Sequence, residues 1–459
     1  MKQSVQERRD AGRAARARLP RAALADVHIT ADRPDPVALL QSQATSRIAD
    51  LVPIRYGRML TSALAFYRGA ALIMASDLAA GPHTGLTAQL CGDAHLCNFG
   101  LFGSPERNLV FDVNDFDETL PGPWEWDVKR LVASLAIAGR DNGFQADARA
   151  EVVRSCVSGY RTRMQELAGM GELAAWYTQT TVDAELQNSV DTKFAREIQQ
   201  TAAKARAHDS LQAVAKLTET VDGQSRLISR PPLVVPIEEL VGADRARQYE
   251  QQMTPFMQRY RDSLEDSRRV LIERFDYVTM ARKVVGVGSV GLRAWIVLLT
   301  GRDSGDPLLL QMKEAQPSVL ERFLGASAYA NAAQRVSVGQ RLMQASSDIL
   351  LGWLHAVGPD DYEADYYVRQ LHDWKGAVSV QTSSPKLLAD YGRACAHALA
   401  RAHSRTGDRI AIAAYLGSSD AADTALTRFA EAYADQNERD FTALRDAVAA
   451  GRVTAESDL

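Results

Sequence analysis

Two short acidic segments contain the residues of this chain whose types and spacing fit a chemical reaction. Residues 91–98 place Asp93 and Asn98 five positions apart, and residues 114–117 place Asp115 after an apolar run. In enzymes of phosphoryl transfer, one aspartate orients the acceptor hydroxyl and takes its proton. An asparagine and a second aspartate supply the hard oxygen ligands that hold magnesium against the phosphates. We therefore expect Asp93 to be the acceptor-orienting base, and Asn98 and Asp115 to be magnesium ligands.

Two further residues extend this set. Asp117 is a candidate for an extra metal ligand or an anchor, and His95 is a candidate for steadying the loop or contacting the transferred group. Asp and Asn also cluster in turns because their side chains hydrogen-bond the local backbone, which is the alternative explanation. Residues 87–90 and 109–111 are predicted to be short strands that enter the two segments. Two acidic loops at adjoining strand ends favour a site over turn chemistry.

A glycine-rich segment at residues 284–291 predicts a second part of the site. A dinucleotide-binding interpretation of its G-x-G-x-x-G pattern requires a helix to open within it. The chain continues instead with apolar runs at 292–299 and 308–314 around a polar turn, which predicts strand, turn and strand. The glycines then lie in a hairpin that folds over phosphates, although they also suit a tight hairpin without a ligand. The residues expected to hold a nucleotide here are Gly286, Gly288, Ser289, Gly291 and Lys313.

The first acidic segment and the strand after it resemble the aminoglycoside and choline phosphotransferase branch of the protein-kinase-like superfamily. The signature of that branch is H-G-D-x-x-x-x-N followed by a strand and I-D, and Cys91 stands where it has the histidine. From about residue 50 onward, the chain also closely resembles the bacterial domain of unknown function 2252 family. Besides both acidic loops, the segments that carry this second resemblance are 66–71, 122–127, 286–291, 340–344 and 433–440.

The kinase resemblance implies an α+β, two-lobed, protein-kinase-like fold with a mostly helical large lobe and a small antiparallel-sheet lobe. Because the catalytic segment precedes the glycine segment, which reverses the kinase order, it also implies a circular permutation. ATP and Mg²⁺ are the implied cofactors. Leu371 and residues 372–376 are the implied hinge against adenine, and Asp127 is expected to brace the catalytic loop or cap its helix. An acidic partner of Lys313 is expected on the next helix; this role stays open, since the candidate Glu321 comes early for it.

The chain divides into four expected regions. Residues 1–50 are predicted to be a basic, frayed N-terminal arm, and residues 51–275 the large helical lobe with both acidic loops. Residues 276–380 are predicted to be the small nucleotide-binding lobe, and residues 381–459 C-terminal helices that return to the large lobe.

Three local patterns complete this prediction. An apolar stripe predicts one helix over 56–80. The Pro-Pro pair within 228–236 interrupts an otherwise helical stretch and suggests a wall of the acceptor site. His403, which precedes a Gly-Asp pair, is an alternative catalytic residue, but it lacks an asparagine five residues on and a following Asp-bearing strand. We therefore expect it to be a helix-end histidine.

Composition agrees with a soluble enzyme. The 459 residues suffice for two lobes with their own cores, and 46% are hydrophobic. A net charge of −4 gives no indication of nucleic acid or an anionic membrane as a partner, and no apolar run is long enough to span a bilayer. Four cysteines do not make a disulfide framework, so we expect the cytoplasm. The spacing of Cys91 and Cys97 around His95 fits no common zinc site.

These patterns together predict an ATP- and magnesium-dependent phosphotransferase that acts on a small-molecule hydroxyl. Two other classes stay open. The same nucleotide site can transfer AMP or activate a carboxylate, because a fold fixes where the nucleotide lies and not which phosphorus is attacked. The chain can also be a non-catalytic nucleotide sensor, although intact Asp93, Asn98, Asp115 and Lys313 argue against this. The acceptor and the oligomeric state are not encoded in any pattern of the sequence.

Overall fold

The chain has an α+β fold in which the paired strands are antiparallel. A computed structural model describes residues 3–181, 199–200, 202–204, 210–221, 224–284, 286–371, 374, 376 and 379–456. The α-helices of these residues are α1 (Val5–Arg18), α2 (Pro36–Ala44), α3 (Val52–Met59), α4 (Ala63–Arg68), α5 (Ala71–Ala79), α6 (Trp124–Asp141), α7 (Ala146–Gly169), α8 (Glu172–Tyr177), α9 (Ser210–Leu217), α10 (Ile237–Val241), α11 (Ala243–Asp262), α12 (Asp266–Ile272), α13 (Glu321–Leu324), α14 (Ala332–Met343), α15 (Pro385–Thr406), α16 (Arg409–Leu416) and α17 (Ala421–Ala449). The strands are β1 (Thr87–Leu90), β2 (Phe99–Gly103), β3 (Leu109–Val113), β4 (Leu120–Pro123), β5 (Thr218–Val221), β6 (Gln224–Leu227), β7 (Val234–Pro236), β8 (Asp276–Lys283), β9 (Ala294–Thr300), β10 (Pro307–Ala315), β11 (Gly352–Val357) and β12 (Glu363–Gln370).

Helices α6, α7, α15 and α17 form the centre of a larger, helical unit. Helix α6 is buried along nearly its whole length, which explains why apolar residues surround its few charged ones. At its start, Trp124 stacks on Tyr160 of α7 with ring centroids 5.4 Å apart. The β2–β3 hairpin and the β1–β4 pair carry the acidic loops on this unit.

A six-stranded sheet in the order β11-β12-β10-β9-β8-β7 forms the second unit. Strand β9 is apolar throughout because helices cover both of its faces. Alternate side chains point to opposite faces of a strand. Trp295 and Val297 accordingly pack in a core with Tyr260 of α11, whereas Ile296 packs in another with Ala213 of α9.

The first fifty residues differ from the frayed arm that their composition suggests. Helix α1 begins with a capping box between Ser4 and Glu7, and it packs against α16. The Nε of Arg8 donates to Asp408 at 2.9 Å, and Arg16 donates to the carbonyl of Tyr415 at 3.0 Å. The basic residues of this segment therefore bind the protein's own helix ends and carboxylates.

The sheet unit also begins earlier in the chain than residue 276. Helices α9 to α12 and strand β7 pack on or pair with the sheet, so the chain enters this unit before Ser210. The interrupted segment 228–236 ends in β7, an edge strand whose Val234 pairs with Lys283. It supplies no residue to the cavities described below, so the suggested acceptor wall is not formed there.

The single helix expected over 56–80 is three helices, α3, α4 and α5. Ser62 caps α4 with its side chain, and α4 ends at Arg68 before Gly69. These breaks matter for the site because they bring Arg55 and Arg68 to the same cavity. In the described part of the chain, no helix combines the length and apolar character that crossing a membrane requires.

Candidate functional site

The two acidic loops are neighbours in the structure. Strand β1 ends one residue before Cys91, and the first loop runs through a turn at Leu96–Asn98 into β2. The second loop follows β3, and the N–H of Asn114 donates to the carbonyl of Asn98 at 3.0 Å. The β2–β3 pairing therefore fixes the distance between the first and second loops.

One face of helix α6 holds the first loop in place. The carboxylate of Asp127 accepts hydrogen bonds from the N–H groups of Cys91 at 2.8 Å and Gly92 at 3.0 Å. One helix turn on, Arg130 donates to Asp93 at 2.8 Å, and Ser134 accepts from the N–H of Leu96 at 3.0 Å. These contacts are the ones that bracing by Asp127 requires.

The side chain of His403 helps to hold the carboxylate of Asp127 in position. It is fully buried, with Nε2 3.2 Å from Asp127 Oδ2 and Nδ1 2.8 Å from the hydroxyl of Tyr160. His403 lies within α15, so it is a helix histidine as expected, but it belongs to the support of the catalytic loop. It has no contact with the cavity in front of that loop.

Asp93 faces the cavity with one carboxylate oxygen held by Arg130. The backbone carbonyl of Asp93 accepts from Asn98 Nδ2 at 2.8 Å, which turns the amide oxygen of Asn98 away from the loop. Burial raises the pKa of Asp93, while the guanidiniums of Arg130 and Arg68 oppose that rise. Among the described residues, no donor binds Asn98 Oδ1, so this oxygen is available as a ligand.

His95 lies beside Asp93, with Nε2 3.8 Å from Asp93 Oδ2. Burial lowers the pKa of His95 well below its usual range, and the guanidiniums of Arg130 and Arg68 lower it further. The imidazole is therefore neutral at physiological pH. Its buried Nδ1 has no hydrogen-bond partner in the described part of the protein.

Asp115 and Asp117 differ in their partners. Asp115 accepts the N–H of Asp117 at 3.2 Å, and burial together with the charge of Asp117 raises its pKa. Asp117 forms an ion pair with Lys313 and accepts from the hydroxyl of Tyr367 at 2.8 Å. Burial alone would raise the pKa of Asp117, but these two donors and the nearby guanidinium of Arg369 outweigh it and lower the pKa. Asp117 is thus an anchor for Lys313, whereas Asp115 is the freer carboxylate.

The partner of Lys313 is therefore not Glu321. Lys313 lies on β10 between Ala294 of β9 and Tyr367 of β12, and it is 3% exposed. Glu321 accepts instead from the N–H groups of Ser318 and Ser327, at 2.9 and 3.1 Å. The helix after β10 that borders the site is α14. Its Arg335 donates to the carbonyls of Thr119 and Asp117, both at 2.7 Å.

The glycine segment connects the antiparallel strands β8 and β9, and no helix opens among its described residues, 284 and 286–291. Gly286, Gly288 and Ser289 border the cavity in front of Asp93, and the hydroxyl of Ser289 lies 3.4 Å from Asp117 Oδ2. Gly291 differs from the prediction. It lines neither cavity of the site, and its carbonyl accepts from the N–H of Ile48 at 2.8 Å.

Two adjacent cavities form between the helical unit and the sheet. The larger, of about 520 Å³, lies against the sheet and is bounded by Gln311, Lys313, Arg369 and Leu371. The smaller, of about 120 Å³, lies in front of Asp93, His95 and Asn98. Asp115, Gly286 and Ser289 border both cavities. The predicted catalytic, metal-binding and phosphate-binding residues, apart from Asp127 beneath the loop and Gly291, thus line one or both of these neighbouring cavities.

The hinge prediction is only partly within the described residues. Leu371 is buried and lines the larger cavity, but its N–H donates to the carbonyl of Leu309 at 2.9 Å. That N–H is therefore committed to the sheet and cannot bind adenine. His372, Asp373 and Lys375 lie outside the described residues.

Metal binding at this site would depend on oxygen ligands of mixed type. Within the described part of the chain, no three His, Cys, Asp or Glu side chains converge as a metal-ion cluster. Asn98 and Asp115 offer an amide oxygen and a carboxylate at the junction of the two cavities. Two protein ligands of this kind suit Mg²⁺, which keeps its remaining positions for water and phosphate oxygens.

Sequence reasoning predicted Lys313 but missed the arginines of the site. Arg130 holds Asp93, and Arg369 donates to Gln311 at 3.0 Å and to the carbonyl of Asn114 at 3.3 Å. The spacing of Asp127, Arg130 and Ser134 places all three on one helical face, which was a usable signal for Arg130. Arg369 lies within the strand that was predicted to lead to the hinge. Nothing in its local sequence indicates that it approaches Asp115.

The comparisons with known proteins assign a family. A family model described as an uncharacterized protein conserved in bacteria (DUF2252) matches residues 47–447. The chain belongs to this family. The DUF2252 match begins at Arg47 and so includes every predicted site residue. No curated protein and no solved structure matches the chain. The DUF2252 description names no reaction, so the function is argued from the geometry of the site.

Proposed function

We propose that this DUF2252 protein is an ATP- and magnesium-dependent phosphotransferase that acts on a small-molecule hydroxyl. The observation that carries the proposal is the convergence of Asp93, Asn98, Asp115 and Lys313 on two adjacent cavities that the glycine hairpin borders, with Asp115 common to both. These residues come from distant parts of the sequence and from both units. Turn chemistry explains an isolated acidic loop, but it does not explain this convergence.

The sheet side of the space supports a nucleotide. In protein kinases, a glycine-rich hairpin covers the phosphates and the phosphate-binding lysine lies on the third strand. Here β8 and β9 flank the hairpin, and Lys313 lies on the next strand, β10. The cavity against the sheet, at about 520 Å³, has the size of a small-molecule site. A two-lobed kinase-like fold with circularly permuted chain order accounts for both the arrangement and the order of its parts.

The ion pair between Lys313 and Asp117 would hold the lysine ready for the nucleotide. Burial alone would lower the pKa of Lys313, but Asp117, Tyr367 and Asp115 together outweigh burial and raise it, so the ammonium stays charged. Tyr367 donates to the other oxygen of Asp117 and fixes the carboxylate. Asn98 Oδ1 and the Asp115 carboxylate would hold Mg²⁺, which supplies charge neutralisation for the phosphates when bound.

The helical side of the space supports the acceptor. Arg130 occupies Asp93 Oδ1, which leaves Oδ2 toward the cavity, where it can orient a hydroxyl and take its proton. Neutral His95 beside it can donate or accept a hydrogen bond without adding charge. Asp127 and His403 keep the loop rigid, which matters because catalytic groups must be held within a fraction of an ångström.

The test is the identity of the nucleotide product. Wild-type protein, ATP and Mg²⁺ are incubated with the small-molecule fraction of a bacterial extract, and mass spectrometry follows nucleotides and 80-Da mass shifts. Protein-dependent ADP together with a phosphorylated metabolite supports the proposal. Pyrophosphate and an AMP adduct would replace it with nucleotidyl transfer, and tight ATP binding without any product would indicate a sensor. Asp93→Asn serves as the control, because it keeps the shape of the site but removes the base.

A further inference from the structure

Three arginines line the smaller cavity together with residues of the acidic loops. Arg47 precedes α3, Arg55 lies within α3, and Arg68 ends α4. All three line the same cavity of about 120 Å³ as Asp93. We call this part of the site the arginine chamber, defined by Arg47, Arg55 and Arg68.

Arg55 is buried and Arg47 and Arg68 are half-buried, and none of the three forms an ion pair in the described part of the chain. A terminal nitrogen of Arg47 donates to the carbonyl of Val290. Arg55 is 1% exposed; one of its terminal nitrogens donates to the carbonyl of Gly69 at 3.0 Å and lies 3.2 Å from Gln43 Oε1. Its Nε and Nη1 have no acceptor among the described residues, and neither has the buried Nε of Arg47 or of Arg68. No carboxylate in the described ranges forms an ion pair with any of these three side chains.

These unpaired guanidinium charges destabilise the protein when no anion is bound. A buried charge is normally paired and hydrogen-bonded, because its desolvation is otherwise strongly unfavourable. Burial, followed by the charge of Arg47, lowers the pKa of Arg55 well below its usual range. Two guanidiniums that repel each other in a low-dielectric site are stabilised by an anion between them.

The other arginines of the site have more acceptors. Arg130 binds the carboxylate of Asp93 and the carbonyl of Tyr67, and Arg369 donates to Gln311 and Asn114. Arg335 donates to three backbone carbonyls at 2.7 to 2.8 Å, although its Nε has no acceptor in the described part of the chain. A single unpartnered Nε also occurs on Arg140, Arg261 and Arg282, but among the described residues Arg55 is the arginine with two unpartnered buried nitrogens, and it lines the cavity in front of Asp93.

We propose that the acceptor carries a phosphate monoester group and that Arg47, Arg55 and Arg68 bind this phosphate. The inference rests on the proposed function and names the class of its substrate. Guanidinium groups match phosphate oxygens with two parallel N–H bonds each, and several of them can surround a tetrahedral dianion. The cavity of about 120 Å³ that the chamber shares with Asp93, Glu118 and Glu314 is large enough for a phosphate group. The acceptor hydroxyl then lies toward Asp93, between the chamber and the nucleotide cavity.

The transfer step balances with these groups. The acceptor oxygen forms a new bond to the γ-phosphorus of ATP, and the bond from that phosphorus to the β,γ-bridging oxygen breaks. ADP leaves with the electron pair of the broken bond, and the hydroxyl proton passes to Asp93. The arginines take no part in bond making; they fix the acceptor so that its hydroxyl meets the nucleotide.

The test uses inorganic phosphate as the probe and isothermal titration calorimetry of the full chain as the measurement. We expect the wild type to bind phosphate both with and without Mg²⁺ and a non-hydrolysable ATP analogue, because the two cavities hold the two ligands together. Arg68→Gln is expected to weaken phosphate binding at least tenfold and to leave binding of the analogue within a factor of about two. Arg154→Gln, an exposed arginine of α7, is the matched control and should leave both affinities unchanged.

A second variant keeps the test valid if Arg68→Gln folds poorly. Arg55→Met replaces a buried charge by an apolar side chain of similar length. It is expected to abolish phosphate binding and to raise the unfolding temperature in phosphate-free buffer. A purely structural arginine would give the opposite change in unfolding temperature.

The outcomes separate this inference from the proposed function. Phosphate binding that the ATP analogue abolishes would assign the arginines to the nucleotide and overturn the inference. Absence of phosphate binding, with Lys313-dependent binding of ATP intact, would overturn the inference and leave the proposed function. Arg68-dependent phosphate binding in a protein that binds no ATP would overturn the proposed function and the acceptor role, and would leave only an anion site.

Discussion

At the scale of single residues, the carboxylates of the site differ in the groups that bind them. Asp93 is held by a guanidinium, Asp117 by an ammonium and a phenol, and Asp127 by backbone N–H groups and a histidine. Asp115 has only the N–H of Asp117 as its hydrogen-bond donor among the described residues. The least satisfied carboxylate is thus the one expected to bind the metal ion.

Asp115→Asn tests this assignment through binding. In the wild type, Mg²⁺ is expected to strengthen ATP binding about tenfold or more, because Asp115 would hold the ion near the phosphates. The variant removes the charge but keeps the shape, so ATP affinities with Mg²⁺ and with EDTA should become nearly equal. Calorimetric titrations with and without Mg²⁺ measure both values. The exposed control Asp147→Asn should keep the full magnesium effect. If Asp115→Asn also kept it, Asp115 would not belong to the metal site.

Substitutions of Lys313 and Asp117 are expected to have non-additive effects on the free energy of unfolding, whereas ATP binding is expected to be lost whenever Lys313 is replaced. From sequence, loss of Lys313 would weaken ATP binding with little change in stability. The structure changes this expectation, because Lys313→Met leaves Asp117 without its counter-ion and should cost about 3 kcal/mol. Lys313→Met with Asp117→Asn removes both charges and should recover at least about 1 kcal/mol of that cost, without recovering ATP binding. Urea unfolding of the four proteins gives the coupling, and additive losses would show that the ion pair does not form in solution.

At the scale of elements, the sequence predicts the elements whose positions are determined by a local pattern of residues. Strands β1, β3, β9 and β10 lie close to their predicted positions, because apolar runs are local signals. Contacts between distant segments left no such signal. The partner of Lys313, the breaks between α3, α4 and α5, and the arginines of the chamber all depend on which elements meet. The entry of the chain into the sheet unit was missed for the same reason.

The packing of α7 against α15 gives a pH-dependent prediction. His397 on α15 lies against Gly159 of α7, and burial followed by the charge of Arg163 lowers its pKa to about 4. The unfolded chain binds this proton at pH values below about 6.5. The folded state is thus penalised as the pH falls from about 6.5 to about 4, by at most about 3 kcal/mol. Above that window, the stability contribution of neutral His397 is fully present.

His397→Gln is expected to flatten that window. Urea unfolding at pH 7.5, 6, 5 and 4.5 should show a shallower loss of stability in the variant than in the wild type. His83→Gln, at an exposed histidine, is the matched control and should retain the wild-type slope. Equal slopes in all three proteins would mean that His397 titrates normally in the folded state.

At the scale of the whole molecule, the N-terminal segment contributes both to the packing of the protein and to the site. Helix α1 packs on α16, and Arg33 joins Asp77 of α5 to Asp440 of α17 through contacts of 2.6 to 2.9 Å. The chain then passes α2 and delivers Arg47 to the chamber. A segment whose composition suggests a detached arm therefore contributes both to the core and to the proposed substrate site.

Gly12→Ala distinguishes a packed helix α1 from a detached one. In a free helix, alanine is more favourable than glycine by about 1 kcal/mol. In the packed helix, the new methyl group would fall on the carbonyl oxygen of Ala411 in α16, well inside van der Waals contact. We therefore expect Gly12→Ala to destabilise the protein by about 1–3 kcal/mol in urea unfolding, because the backbone of α16 cannot yield without moving α1. Gly169→Ala, at the end of α7 with no atom within 4 Å of the added carbon, is the matched control and should not destabilise. An increase in stability for Gly12→Ala would mean that α1 is detached in solution, and that Arg47 is held by its own local contacts alone.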